Sequence, residues 1–182
     1  DNGNLRLRGK SAIGTNGATI YFRKTGNVNC TGDIRTLVDY ENYQTTNTSN
    51  AKFNYLFYIC NSLISAPELP ATTLADGCYQ YMFSGCGLIS APELPATTLT
   101  PLSYHGLFEA CYYGMFEECY NLTSAPKLSA TALAKSCYCN MFRLCTRLTS
   151  APELPATTLA EYCYDSMFWG CTSLNSVPQL PA

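Results

Sequence analysis

The segment Pro67-Glu68-Leu69-Pro70-Ala71-Thr72-Thr73-Leu74 decides how this chain is read, because it returns. It recurs unchanged as Pro92 to Leu99 and as Pro152 to Leu159. It recurs in altered form as Pro126-Lys127-Leu128-Ser129-Ala130-Thr131-Ala132-Leu133, and in part as Pro178-Gln179-Leu180-Pro181. An aromatic-Cys phrase alternates with it: Phe57-x-x-Cys60, Phe83-x-x-Cys86, Phe116-x-x-Cys119, Phe142-x-x-Cys145 and Phe168-x-x-Cys171. Its Phe residues lie 26, 33, 26 and 26 positions apart. The long step contains a duplication, in which Tyr104 to Cys111 copies the eight residues Tyr112 to Cys119. The base period is 26 residues, so residues 53–182 hold about five units of a tandem array.

Within a unit, Leu74, Cys78, Met82 and Cys86 step by four, as do Ala75, Tyr79 and Phe83 beside them. Paired apolar positions at that spacing predict one buried stripe of a helix. Thr73 with Asp76, and Thr158 with Glu161, fit a capping box at the helix start, and Thr100-Pro101 fits an N-cap followed by Pro. The eight-residue insert, 104–111, then reads as about two extra helical turns or a protruding lobe. The other half-unit, Leu63 to Leu69 and its copies, carries Pro at a fixed place, which biases the preceding Ala to extended geometry and predicts a brief strand. Strand, turn, helix and turn predict a β/α solenoid with a parallel sheet. Parallel strands lie about 4.8 Å apart and packed helices about 8–10 Å, so such a stack must curve. Pro67, Pro92, Pro126, Pro152 and Pro178 lack an amide, which predicts very short strands or a bulge.

The first residues differ. Leu5-Arg6-Leu7-Arg8 and Ala18 to Arg23 alternate around the turn signals Gly14 and Gly17, predicting a β-hairpin cap over 1–28. Cys30 to Leu37 reads as a worn first repeat, so the array is expected over 29–182. Asp1 with no leader after it reads as a mature or trimmed chain. The last unit, ending at Leu180-Pro181-Ala182, reads as uncapped, with an edge strand near Leu180 able to pair with a second copy.

The chain has 182 residues, of which 47% are apolar and only 13% charged. Net charge is −2 and the pI near 5.3, which argues against nucleic acid as a partner. No apolar run approaches the ~18 residues of a membrane span.

The phrase Phe-x-x-Cys-x-x-Leu, clearest at Cys119-Tyr120-Asn121-Leu122 and Cys171-Thr172-Ser173-Leu174, resembles the BspA-like (Treponema pallidum-type) leucine-rich repeats of bacterial surface proteins. Ala-Pro-Glu-Leu departs from that family's simpler strand, and the usual unit is slightly shorter. The resemblance implies an α/β fold, a right-handed leucine-rich-repeat solenoid behind a small N-terminal β cap. It also implies export, display at the cell surface, and adhesion or protein binding, with host matrix proteins as candidate ligands. It supplies no catalytic residues.

Glu68, Glu93, Lys127, Glu153 and Gln179 occupy equivalent places and are expected to stack along one face, either as a solvated ladder or as a concave partner-binding strip. The Ser column of Ser65, Ser90, Ser124, Ser150 and Ser176 could share it. Tyr81, Tyr113, Tyr162 and Trp169 fall outside the four-step stripe and suggest an alternative, a convex carbohydrate-binding surface, or packing between helices. Eleven Cys in an exported chain normally imply disulfides, yet Cys78/Cys86 and the equivalent pairs lie eight apart, too far along one helix to bridge. Buried free thiols are expected, with Cys30 and Cys139 off the columns. Neither metal nor cofactor is expected, since Cys-x-x-Cys is absent and His105 is the single imidazole. A His105–Cys111 nucleophile pair is conceivable, but Cys111 belongs to a repeat column, and Glu117-Glu118 reads as a solvated face. The expectation is a non-enzymatic binding protein.

Overall fold

Successive units lie on one another in register. In the aromatic-Cys half, the amides of Tyr79, Tyr81, Phe83 and Gly85 donate to the carbonyls of Cys111, Tyr113, Met115 and Glu117 in the next unit, at 2.8–3.0 Å. The alternate amides, Cys78, Gln80, Met82, Ser84 and Cys86, donate three residues back within their own unit. The backbone donors of this segment are thus all paired, half along the chain and half across the stack. The same pattern joins Phe53–Ile59 to the second unit, Tyr112–Glu118 to the fourth and Ser136–Leu144 to the fifth. The computed structural model describes residues 6–20, 26–99 and 110–178.

No α-helix forms among the described residues. The regular elements are strands β1 (Val28–Asn29), β2 (Leu63–Ser65), β3 (Thr73–Leu74) and β4 (Thr98–Leu99), with one 3-10 helix, Ile34–Leu37. β1 pairs with β2 and β3 with β4, both in parallel, as two separate two-stranded sheets. The expected α/β class, a right-handed β/α leucine-rich-repeat solenoid, is therefore not what this chain forms.

The physical reason lies in what a four-residue period encodes. Backbone φ is positive at Gly77 (63°), Tyr81 (50°) and Gly85 (70°), one residue in every four. It is positive again at Ser136, Asn140 and Leu144, and at Tyr162, Ser166 and Gly170. The segment is a run of tight turns, each closed by an amide bonding three residues back, with a left-handed residue per turn. Side chains four apart share a face in such a coil, as they do in a helix. What separates the two is where the remaining amides go. Ring centroids of Phe57–Phe83, Phe83–Phe116, Phe116–Phe142 and Phe142–Phe168 lie 5.6–5.8 Å apart and within 7° of parallel. The column Phe53, Tyr79, Tyr112, Tyr138, Tyr164 stacks at 5.6–6.1 Å. Helices need about 8–10 Å, so rings in contact and helices around them are incompatible. Gly114 shows the same closeness: a Cβ there would collide with the Tyr81 ring of the preceding unit.

Thr73 and Thr158, expected as helix caps, instead pair across units, Thr73 with Thr98 and Thr158 with Ala132. Thr100-Pro101 lies outside the described residues. In the Pro half, bridges flank the Pro92 and Pro126 pair: Ser90–Ser124 before it and Leu94–Leu128 after it, both parallel. The missing proline amide limits pairing to these points.

Leu69, Leu94, Leu128 and Leu154 are buried in equivalent places, as are Met82, Met115, Met141 and Met167. All eleven cysteines are free thiols, buried except for half-buried Cys30 and Cys171. Most of the insert, 104–109, lies outside the described residues, yet the ladder crosses it without a break, since Phe83 stacks on Phe116.

Near the N-terminus, the described part of the expected hairpin segment bonds to later residues. Gly9 and Ser11 donate to Thr36 and Val38, and Tyr40 donates to Gly9. Thr15 and Asn16 donate to the Lys52 carbonyl, and Ile20 to that of Leu56, so residues 15–20 lie along the edge of the first unit. Leu5 and Tyr21 to Arg23 lie outside the described residues.

Candidate partner-binding surface

Around each Pro-Glu-Leu the backbone is extended, so neighbours alternate in and out. Pro67, Pro126 and Pro152 are buried and Pro92 half-buried; Glu68, Glu93, Lys127 and Glu153 are exposed; the following Leu of each unit is buried. Stacking then aligns the exposed positions. Glu68 donates its amide to Gly32 at 2.8 Å and accepts from Ile34 at 3.1 Å, which places Asp33 beside it. The Leu94–Leu128 bridge sets Glu93 beside Lys127. The structure therefore brings four of the five expected residues onto neighbouring units of one row; Gln179 lies outside the described residues.

Asp33 heads this row, and the column comparison passes over it because its repeat is so worn. Its carboxylate is occupied: both oxygens accept from Arg35, the shortest contact being 2.6 Å. Glu93, Lys127 and Glu153 hold no ion pair among the described residues. Between the second and third units of the row lies a groove of about 290 Å³, walled by Pro67, Pro70, Pro92 and Pro95 and flanked by Glu68 and Glu93. Ser90, Ser124, Ser150 and Ser176 are exposed two residues before each Pro, and Ser65 is half-buried, its hydroxyl donating to Asn29 Oδ1 at 3.1 Å.

The aromatic alternative divides in two. Tyr81 is half-buried between Tyr55 (5.4 Å) and Tyr113 (5.3 Å), and Tyr113 is buried, so these rings pack on one another. Burial raises both phenol pKa values. Tyr162 and Trp169 are 52% and 56% exposed. Lys135 sits over the first ring at 5.7 Å, and the Arg143 guanidinium over the second at 4.5 Å.

Glu117 corrects the solvated-face expectation for Glu117-Glu118. It is 9% exposed and its carboxylate accepts from Arg143 at 2.5 Å. Cys111 is fully buried, its thiol 3.5 Å from the Ala75 carbonyl. His105 lies outside the described residues. Desolvation raises the thiol pKa values at Cys78, Cys86, Cys119, Cys137 and Cys145, so these groups stay protonated and unreactive. Cys139 is pushed up to about 11, by burial first and the Asp165 charge second. Among the described residues no cluster of three His, Cys, Asp or Glu is placed to hold a metal ion, and no helix is long and apolar enough to cross a membrane.

No protein-family model, curated protein or solved structure matches the chain.

Proposed function

We propose that the chain is a non-catalytic binding module that holds an extended, basic segment of a partner protein along the row Glu68, Glu93, Lys127, Glu153. The observation that carries this reading is the groove beside Glu93. Its carboxylate stands at the rim of a proline-walled trough and has no cation of its own among the described residues. Proline walls suit apolar side chains of an extended peptide, and the carboxylates suit its Lys or Arg. Glu68 is held by its backbone bonds to Gly32 and Ile34, and the Leu94–Leu128 bridge sets Glu93 beside Lys127. The resemblance of the Phe-x-x-Cys-x-x-Leu phrase to BspA-like repeats supports an extracellular or cell-surface setting, with matrix proteins as candidate partners.

The test is fluorescence anisotropy with two labelled peptides that alternate apolar residues with Lys or with Glu. The Lys peptide is expected to bind and to weaken as salt rises. Glu93→Lys should weaken it about tenfold. Equal binding of both peptides, or no effect of Glu93→Lys in the folded protein, overturns the reading.

A second reading keeps one observation: Trp169 and Tyr162 are more than half exposed on the last described unit. Such rings suit sugar stacking. Glycan-array binding lost in Trp169→Ala, with the Lys peptide ignored, would favour it.

A further inference from the structure

Arg35, the partner of Asp33, also lines a second cleft, walled by residues 46–49 and 70–73. Its volume is about 310 Å³, within the range of roughly 300–1,000 Å³ that holds small ligands. Both walls are fixed by backbone bonds. The amides of Thr45, Thr46 and Ala51 donate to the carbonyls of Asn42, Tyr43 and Thr48 at 3.0–3.3 Å, and the Ser49 amide donates to Asn47 Oδ1 at 2.9 Å. In the other wall β3 pairs with β4, and the Thr72 carbonyl accepts from Thr97 and Thr98 at 3.2 and 3.4 Å. Arg35 is clamped as well: Nη1 donates to the Gln44 carbonyl at 3.1 Å, while Nε and Nη2 donate to Asp33. These contacts use three of the five N–H donors of a guanidinium, leaving two. The hydroxyls of Thr48, Ser49, Thr72 and Thr73 hold no hydrogen bond among the described residues. The first two are half-buried and the second two exposed.

We infer that this cleft binds a neutral sugar. Three features select that chemistry. The four open hydroxyls each donate and accept, as the hydroxyls of a sugar do, so the two sets satisfy one another in either sense. The remaining N–H groups of Arg35 suit an uncharged oxygen. Its charge is already matched by Asp33, and the Glu68 carboxylate acts on the same guanidinium, so a carboxylate or phosphate would meet a field that is not positive. Pro70 and Ala71 give the cleft an apolar surface on which the C–H face of a sugar ring can lie. The groove beside Glu93 shares only Pro70 with this cleft, so a basic peptide and a sugar would occupy different sites.

The test is amide NMR on the full chain, titrated with glucose, galactose, mannose or N-acetylglucosamine, and with glucuronate as the anionic probe, each to about 50 mM. At least one neutral sugar is expected to shift the amides of residues 46–49 and 72–73 saturably, with an affinity that salt does not change. Thr48→Val and Thr72→Val together remove two of the open hydroxyls and keep the side-chain shape. The double variant should keep the rest of the spectrum and bind that sugar about tenfold more weakly. No saturable shift with any of the four neutral sugars, glucuronate bound as tightly as they are, or an unchanged affinity in the folded double variant would overturn the inference. Saturable shifts confined to Tyr162 and Trp169 would overturn it too, and would place sugar binding at the exposed rings instead.

Discussion

The thiol of Cys119 donates to the carbonyl of Phe83 in the preceding unit, 3.1 Å away, and that same carbonyl accepts the amide of Cys86 at 3.0 Å. The relation repeats: Cys86 reaches Phe57, Cys145 reaches Phe116 and Cys171 reaches Phe142, at 2.9–3.0 Å. Each Phe carbonyl uses both lone pairs, one for the turn and one for the stack. This is why the motif reads Phe-x-x-Cys rather than Phe-x-x-Ala.

A hydroxyl should therefore replace this thiol better than a methyl can. Cys119→Ala is expected to cost about 1–2 kcal/mol from the lost sulfur volume and hydrogen bond. Cys119→Ser should cost less, because its hydroxyl can still donate. Urea unfolding measures both. The reverse order would reduce the cysteine column to apolar filler.

Alkaline pH should unfold the protein. Cys139 loses its proton at about 11 when folded, against an ordinary 9.0. Between these values the unfolded chain binds fewer protons than the folded one, so stability falls as pH rises. Cys78, Cys86, Cys137 and Cys145, also raised, act in the same direction. The urea midpoint is expected to be flat below pH 9 on this account and to drop toward pH 11. At neutral pH iodoacetamide should reach half-buried Cys30 and Cys171 well before the buried thiols, which mass spectrometry of timed samples would resolve.

Gly87 is a packing test. A Cβ there would overlap the backbone carbonyl of Asn61, which cannot move without disturbing the unit before it. Gly87→Ala should cost more than about 2 kcal/mol. At Gly26 nothing lies within 4 Å, so Gly26→Ala should stay within about 0.5 kcal/mol. Thermal melts of the two variants that coincide would contradict this packing.

Arg143 joins Glu117 of the preceding unit to Trp169 of the next. Arg143→Ala would leave the nearly buried Glu117 carboxylate without its cation, at an expected cost of about 1–3 kcal/mol. Trp169 is the single tryptophan, so its emission reports this site alone. The variant should shift that emission while Glu93→Lys leaves it unchanged. An unmoved spectrum in the folded variant would dissolve the proposed stack.

The candidate row was legible because Pro67-Glu68-Leu69 and its copies state their own alternation: an extended backbone must turn Glu outward if Pro and Leu go in. The turn coil was not legible from the apolar pattern, because a helix and a coil of tight turns both place Leu74, Cys78 and Met82 on one side. The glycines held the missing signal. Gly77 and Gly85 stand eight apart at left-handed positions, and each would cost a helix about 1 kcal/mol relative to Ala. Tyr81, between them, conceals the period because it takes the same conformation with a full side chain. Glu117 was misread for a related reason: its partner Arg143 lies 26 residues away, in the next unit.

By itself the sequence determined the 26-residue period, the alignment of equivalent side chains and the chemistry of each column, because identical segments bury identical faces. Only the tertiary structure decided the backbone. A tight turn leaves half of its amides unpaired, and such a segment becomes favourable when a neighbouring unit supplies carbonyls about one ring thickness away. No single unit contains that neighbour.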